Sequence, residues 1–134
     1  MSSVQRVVNR LDRERLLPHL GRGDSGSAQA QYLRWLFENA KVVAPEKIPP
    51  YVVTMNSTVR LRDEQRDEEE TFTLTYPGAP GEFGEGVSVL SPIGAALLCC
   101  QEGEHVRLVG TRASRSLVLD KIEFQPEREG QFEL

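Results

Sequence analysis

The residues that could carry chemistry are few, and the most exposed candidate is a single acid. The polar stretch GRGDSGS, residues 21–27, contains Asp24 next to Arg22. Binding a catalytic metal ion needs several acidic ligands that converge on one cation, and this stretch supplies only one. We therefore predict that Asp24 is an ordinary loop residue, with contact to a partner as the second interpretation and metal catalysis as the third.

The remaining reactive side chains do not form a recognisable site either. Cys99 and Cys100 are adjacent, and a disulfide between neighbours would be strained, so we expect two reduced thiols that pack in the core. Together with His19 and His105 they do not make a closed set of zinc ligands. The acidic run DEQRDEEE, residues 63–70, is typical of a solvated loop. We expect no catalytic residue, metal or cofactor, and hence no enzyme.

Composition and charge exclude several classes of partner. The chain has 134 residues with a formal net charge of -4 and 39% hydrophobic residues, as in an ordinary soluble domain. A negative net charge gives no electrostatic reason to bind nucleic acid or an anionic membrane. No apolar run is long enough to span a bilayer, and the N-terminus lacks the apolar segment of a secretory signal. These features indicate a cytoplasmic protein.

The N-terminal third of the chain has the pattern of two helices. Asn9 can cap a first helix, which Pro18 should shorten or kink. Ser25 or Ser27 can cap a second helix over about residues 28–43. The short loop between them predicts an antiparallel helical hairpin with GRGDSG at its tip.

An apolar stripe on the second helix indicates how it packs. Tyr32, Leu36, Ala40 and Val43 recur at spacings of three and four residues. The sole tryptophan, Trp35, has apolar neighbours, and we place it in the core. Three prolines within residues 44–50 then end the helical part of the chain.

From Tyr51 onward the apolar pattern changes to a period of two, which predicts strands. A third helix interrupts them. Ser91 can cap it, Pro92 suits its first position, and we expect it to run to about Cys100. The fold class is therefore α+β, a helical hairpin followed by an antiparallel sheet with one short helix packed on it. The predicted strands cover residues 51–61, 71–76, 86–90, 104–110 and 116–124, with a bulge or an exposed Asp120 in the last.

Several of these segments also have sequences typical of a known protein family. The stretches PPYVVTMNSTVRLRD, TFTLTYPG, VSVLSPIGAALL, EGEHVRL and IEFQPE lie between residues 49 and 127. They closely resemble the regulator of nucleoside diphosphate kinase family, which is related to the Gre transcript-cleavage factors. The N-terminal hairpin resembles the family in its arrangement of helices more than in its amino-acid sequence.

The resemblance implies a division into an N-terminal antiparallel coiled coil, residues 1–46, and a C-terminal domain of FKBP-like fold, residues 47–134. It also implies binding to bacterial RNA polymerase near its secondary channel, without the transcript cleavage of Gre factors. The docking turn of the relatives is typically an acid followed by Ser-Pro. Ser91 and Pro92 match that turn, and Leu90 replaces the acid.

Two other functions stay open from the sequence. The family name allows an adaptor that binds nucleoside diphosphate kinase directly, as well as an indirect effect on the level of that enzyme. An FKBP-like fold allows a peptidyl-prolyl isomerase, although fold alone does not confer activity. An isomerase of that type needs an apolar cavity lined by aromatic side chains, and the chain has only 7% aromatic residues.

Overall fold

The computed structural model describes residues 5–21, 26–78 and 85–132, and within them it has mixed α+β architecture. None of the helices in these ranges is long and apolar enough to cross a bilayer. The helices are α1 (Arg10–Leu16), α2 (Ala28–Asn39) and α3 (Pro92–Leu97). The strands are β1 (Val7–Asn9), β2 (Lys41–Val43), β3 (Thr58–Asp63), β4 (Glu68–Thr75), β5 (Glu85–Ser88), β6 (His105–Val106) and β7 (Leu117–Phe124).

The larger sheet has five strands in the order β5-β4-β3-β7-β6. Alternation places Val59 and Leu61 of the central strand β3 in the core and Arg60 on the opposite, solvent-facing side. Asp120 contacts Arg60 there at 2.9 Å, and the β3–β7 register shifts nearby, so both the exposed acid and the bulge are confirmed. The expectation of a fully antiparallel sheet is wrong, because β5 pairs with β4 in parallel.

The two N-terminal helices are short and are held by the predicted caps. The Asn9 side chain accepts a hydrogen bond from the N–H of Leu11, and that of Ser27 accepts one from Ala30. Helix α1 ends at Leu16 and continues as a single 3-10 turn that contains Pro18, as its missing N–H requires.

The second helix is shorter than the period predicted. It ends at Asn39, and Ala40 adopts an extended conformation, so that the next residues form β2 in place of a last helical turn. The β-branched Val42 and Val43 favour this conformation. Strand β2 pairs in parallel with β1, and Lys41 donates its N–H to the carbonyl of Arg6 at 2.8 Å.

The placement of Trp35 in the core is also wrong. Trp35 is 56% exposed, whereas Ala30, Leu33 and Phe37 are buried. Residues three and four apart share a helix face, and Trp35 falls outside the face that these three define. Its ring contacts only that of Tyr32, at a centroid distance of 6.0 Å, among the aromatic pairs of the described residues.

Several element boundaries in the C-terminal part differ from those predicted from the sequence. Strand β3 begins at Thr58, since the preceding residues form turns in which Asn56 has a φ of 66°. Helix α3 ends at Leu97 because Leu98 is extended and Cys99 has a φ of 69°. Strand β6 covers only His105 and Val106. Turns and tight bends interrupt the pattern at each of these places.

One hydrophobic cluster contains residues of both the N-terminal helices and the sheet. Leu16, Leu33 and Leu36 of the helices lie in the same cluster as Leu61 and Leu119 of the sheet, and all five are nearly fully buried. The helices are therefore packed on the sheet in this structure, and burial of apolar surface stabilises that contact.

A buried carboxyl group fixes α1 to segments that flank strands β3 and β4. Asp12 is 2% exposed, and its oxygens accept hydrogen bonds from the N–H of Met55 at 3.0 Å and the hydroxyl of Tyr76 at 3.2 Å. Burial raises the pKa of Asp12 to about 7, a shift that the hydrogen bond from Met55 only partly offsets. Beside it, the amide of Asn9 donates to Glu127 at 2.5 Å.

Replacement of Asp12 by Asn should change how stability depends on pH. An acid whose pKa is higher in the folded than in the unfolded chain favours folding at low pH, and this contribution is lost as pH rises from its ordinary value of 3.8 through about 7. The free energy of unfolding of the wild type relative to Asp12→Asn should therefore decrease by roughly 2 kcal/mol between about pH 5 and pH 8.

Urea unfolding across this pH range measures the effect. Asp67→Asn, in an exposed turn, is the matched control because it removes a carboxylate that is not buried. A difference between the wild type and Asp12→Asn that is independent of pH would contradict the role assigned to the buried carboxyl.

Candidate functional site

The predicted docking turn lies between β5 and α3 and is held together by its own polar groups. Ser91 donates its hydroxyl to the carbonyl of Ser88 at 2.6 Å and accepts the N–H of Gly94 at 3.0 Å. The Ser88 hydroxyl in turn accepts the N–H of Leu90 at 3.1 Å. Because both functions of the Ser91 hydroxyl are used inside the turn, this residue shapes the surface.

The two neighbours of Ser91 offer apolar surface. Leu90 and Pro92 are half-buried, and Leu90 packs against the hydrophobic core with one side. At position 90, where relatives are expected to carry an acid, this turn has an aliphatic side chain, and the Pro92 ring lies beside it. Such a pair suits an apolar contact with a partner better than an ion pair.

The close approach of α3 to the end of β5 requires a glycine. A Cβ atom at position 94 would lie 1.9 Å from the carbonyl oxygen of Ser88 and 2.9 Å from the hydroxyl of Ser91. The first of these atoms belongs to the backbone and cannot rotate away. The absence of a side chain at Gly94 therefore allows α3 and the end of β5 to come this close.

A cleft of about 620 Å³ runs beside α3, between the N-terminal segment and the chain after β6. Arg6 and Glu104 form an ion pair there, with N–O distances of 2.5 and 2.8 Å. Burial alone would raise the pKa of Glu104, but hydrogen bonds from Arg6 and from the N–H of Gln101 lower it overall. The hydrogen bond to Glu104 raises the pKa of Arg6, so the pair is charged and largely self-neutralised. The other lining residues include Tyr32, Ala96, Cys100, Arg107 and Val109.

The two cysteines are buried and unpaired, as predicted. Burial raises the pKa of the Cys100 thiol to about 12, and it raises that of Cys99 further. Both are therefore protonated at neutral pH and are poor nucleophiles. His105 is exposed and contacts Glu64 at 3.1 Å, whereas His19 is exposed at the end of the 3-10 turn.

Not every predicted residue can be placed. Arg22 and Asp24 lie outside the described residues, so the structure leaves the predicted hairpin tip untested. Within residues 5–21, 26–78 and 85–132, no three Cys, His, Asp or Glu side chains are grouped so as to hold a metal ion. The prediction of a solvated loop over residues 63–70 is wrong at both ends, because Asp63 ends β3 and residues 68–70 begin β4, where they pair with β3. Only residues 64–67 form a turn between the two strands.

Sequence reasoning missed the contacts that surround the docking turn. The carbonyl of Pro92 accepts the N–H of Val109 at 3.0 Å, and the carbonyl of Val109 accepts the side-chain amide of Gln29 at 2.7 Å. Backbone acceptors leave no trace in side-chain patterns. The only sequence signal for these contacts is that Gln29, in the first turn of α2, is polar, and this signal is weak.

Replacement of Gly94 by Ala should strongly destabilise the fold and distort the docking turn. The added methyl group overlaps a backbone oxygen, which predicts a loss of about 3 kcal/mol or more in the free energy of unfolding. Gly130→Ala is the control because its Cβ meets no atom within 4 Å but its φ is 75°. The control should cost only about 1–2 kcal/mol. Equal losses in thermal or urea unfolding would contradict the steric account.

Comparison with known proteins identifies the family. Residues 48–123 match the family model described as "Transcription elongation factor, GreA/GreB, C-term". The chain is 36% identical to the regulator of nucleoside diphosphate kinase of Escherichia coli K12 over 135 residues, which cover 98% of each protein. It is 28% identical to the transcription elongation factor GreA of Thermodesulfovibrio yellowstonii over 95 residues, 71% of this chain and 60% of that protein.

A solved structure agrees with this result. A transcription elongation factor GreA/GreB from Nitrosomonas europaea matches with a TM-score of 0.75 at 34% identity, over 91% of this chain and 100% of that chain. The family predicted from the wording of the segments is thereby confirmed. The chain belongs to the GreA/GreB family and, over almost its entire length, is similar to the regulator of nucleoside diphosphate kinase.

Proposed function

We propose that this protein is a non-enzymatic regulator of bacterial transcription that binds RNA polymerase near its secondary channel and does not stimulate transcript cleavage. Through this binding it affects the level of nucleoside diphosphate kinase. The observation that carries the proposal is the 36% identity with a regulator of that kinase along 98% of the chain. Family membership points to the transcription machinery as the target.

The docking turn supports a binding function by its construction. Its polar groups are satisfied internally, so a partner can cover the apolar surface of Leu90 and Pro92 without leaving those groups unpaired. A turn that is already ordered also loses little conformational entropy on binding. We infer that Leu90, Ser91 and Pro92 form the contact, with Ser91 as the residue that shapes it.

The remaining parts of the proposal concern the rest of the chain. The helices of residues 1–46 would correspond to a short version of the Gre coiled coil, and residues 47–134 to the FKBP-like domain. The segment with Arg22 and Asp24 would face the channel, where a single acid cannot supply a pair of metal ligands. The protein would therefore occupy the channel mouth and compete with Gre factors.

Two other functions are less well supported. An adaptor that binds nucleoside diphosphate kinase directly is compatible with the relative's name, and the binding assay below includes that enzyme. A prolyl isomerase has little support, since two clefts lined by described residues each contain a single aromatic side chain, Tyr32 in one and Phe132 in the other. A standard isomerisation assay should show no activity.

Replacement of Pro92 by Ala should weaken binding to core RNA polymerase. Alanine keeps the carbonyl that accepts the N–H of Val109 and removes only the ring, so the fold should persist while apolar contact is lost. A central apolar contact of this size predicts roughly a tenfold increase in Kd. Native mass spectrometry or biolayer interferometry measures it, with Lys121→Ala on the exposed side of β7 as the control.

The contradicting outcomes are equally specific. Absence of any complex between the wild type and core polymerase would refute the proposal, whereas binding to purified nucleoside diphosphate kinase alone would favour the adaptor.

A backtracked elongation complex should not be trimmed when this protein is added with Mg²⁺. GreA added to the same complex should stimulate trimming, and an excess of this protein should slow it by occupying the same entrance. Gel analysis of the labelled transcript measures both effects. Trimming that is stimulated by the wild type and lost in Asp24→Asn would overturn the non-enzymatic assignment.

A further inference from the structure

A short backbone segment after β6 lies between the docking turn and the start of α2. Val109 donates its N–H to the carbonyl of Pro92 at 3.0 Å on one side. On the other side its carbonyl accepts the Gln29 amide at 2.7 Å. The two groups of one peptide residue thus connect two elements that are 63 positions apart in sequence, counted from Gln29 to Pro92.

Gly110, the residue after Val109, allows the backbone to approach the first turn of α2 closely. Gly110 has a φ of 74°, and a Cβ atom there would lie 2.5 Å from Nε2 of Gln29 and 2.7 Å from the Cβ of Ala28. The first turn of α2 therefore rests directly on the backbone of Gly110. Only glycine combines this φ with this lack of space.

The contact extends along α2 and beyond it. Tyr32, one turn after Gln29, lines the same cleft as Val109 and Ala96 of α3. Arg34, on the following turn, donates a hydrogen bond to the carbonyl of Leu20. A displacement of α2 would therefore disturb both the cleft beside α3 and the contact with Leu20.

We propose that Gln29 is a positioning residue. Its contact with Val109 holds α2 in one fixed orientation relative to the docking turn. The inference rests on the proposed function in one respect, that the partner which binds this turn is RNA polymerase. A partner that contacts both elements then meets a single preorganised surface, and loss of the Gln29 contact makes it order that surface on binding.

The direct test compares side chains of similar size with and without a donor. Gln29→Met keeps the length and loses the N–H group, whereas Gln29→Lys restores a donor that can reach the carbonyl of Val109. Gln31→Met is the matched control, since Gln31 is an exposed glutamine on the same helix that contacts Gly26 and not Val109.

The first measurement needs no partner. In hydrogen exchange of the free protein, the amide of Val109 and those of the first turns of α2 should exchange at least fivefold faster in Gln29→Met. They should remain near the wild-type rate in Gln29→Lys and Gln31→Met. Unchanged exchange in Gln29→Met would overturn the inference, whatever the partner is.

The second measurement uses core RNA polymerase. Gln29→Met should raise Kd about three- to tenfold and weaken competition with GreA, and Gln29→Lys should recover most of the loss. The effects of Gln29→Met and Pro92→Ala should be non-additive because both act on one connected surface. Wild-type affinity of Gln29→Met, with Pro92→Ala impaired, would sink the positioning role and leave the proposed function intact. Wild-type affinity of Pro92→Ala would instead count against the proposed docking turn, while the exchange data would still decide the role of Gln29.

Discussion

The close contact between the start of α3 and the end of β5 is the constraint on which the candidate site depends. Position 94 has no room for a side chain, so the helix can approach the carbonyl of Ser88 and the turn between them becomes tight. That tightness brings Ser91 within reach of both Ser88 and Gly94, which satisfies the polar groups. What remains on the outside is apolar and already ordered, the combination that favours binding at low entropic cost.

The N-terminal helices are part of the same packed structure. Hydrogen bonds that join Asp12 to Met55 and Tyr76, and Asn9 to Glu127, connect the region of α1 to segments that flank the strands of the sheet. The apolar sides of α1 and α2 share one core with the sheet. Gln29 adds a third connection through Val109, which in turn donates its N–H to Pro92 at the docking turn. Buried polar groups of this kind are costly unless every partner is present, and they therefore specify one orientation.

Much of the fold could be predicted because local patterns carry it. Caps at Asn9, Ser27 and Ser91 mark helix starts by side-chain chemistry, and alternation marks strands β3 and β7 by burial on one side. The sequence motifs within residues 49–127 were specific enough to identify the family. These signals lie in the residues themselves and need no knowledge of distant contacts.

The failures have the opposite character, since they arise from tertiary contacts. Strand β2 forms because β1 offers a partner, which no window around Val42 can show. Trp35 is exposed because tertiary packing determines which face of α2 is buried, and the parallel pairing of β5 with β4 is likewise a contact between strands that local patterns do not show. The connection from Gln29 to Pro92 depends on the backbone groups of Val109, which side-chain patterns do not show. The roles of Arg22 and Asp24 remain predictions.

Site-specific photo-crosslinking tests the central claim, that the turn before α3 is the surface that meets RNA polymerase, most directly. A photoreactive amino acid replaces Leu90 in one variant and Lys121, on the exposed side of β7, in another. The account predicts a crosslink to a polymerase subunit from position 90 and none above background from position 121. Crosslinks from position 121 with none from position 90, in a complex of wild-type affinity, would contradict it.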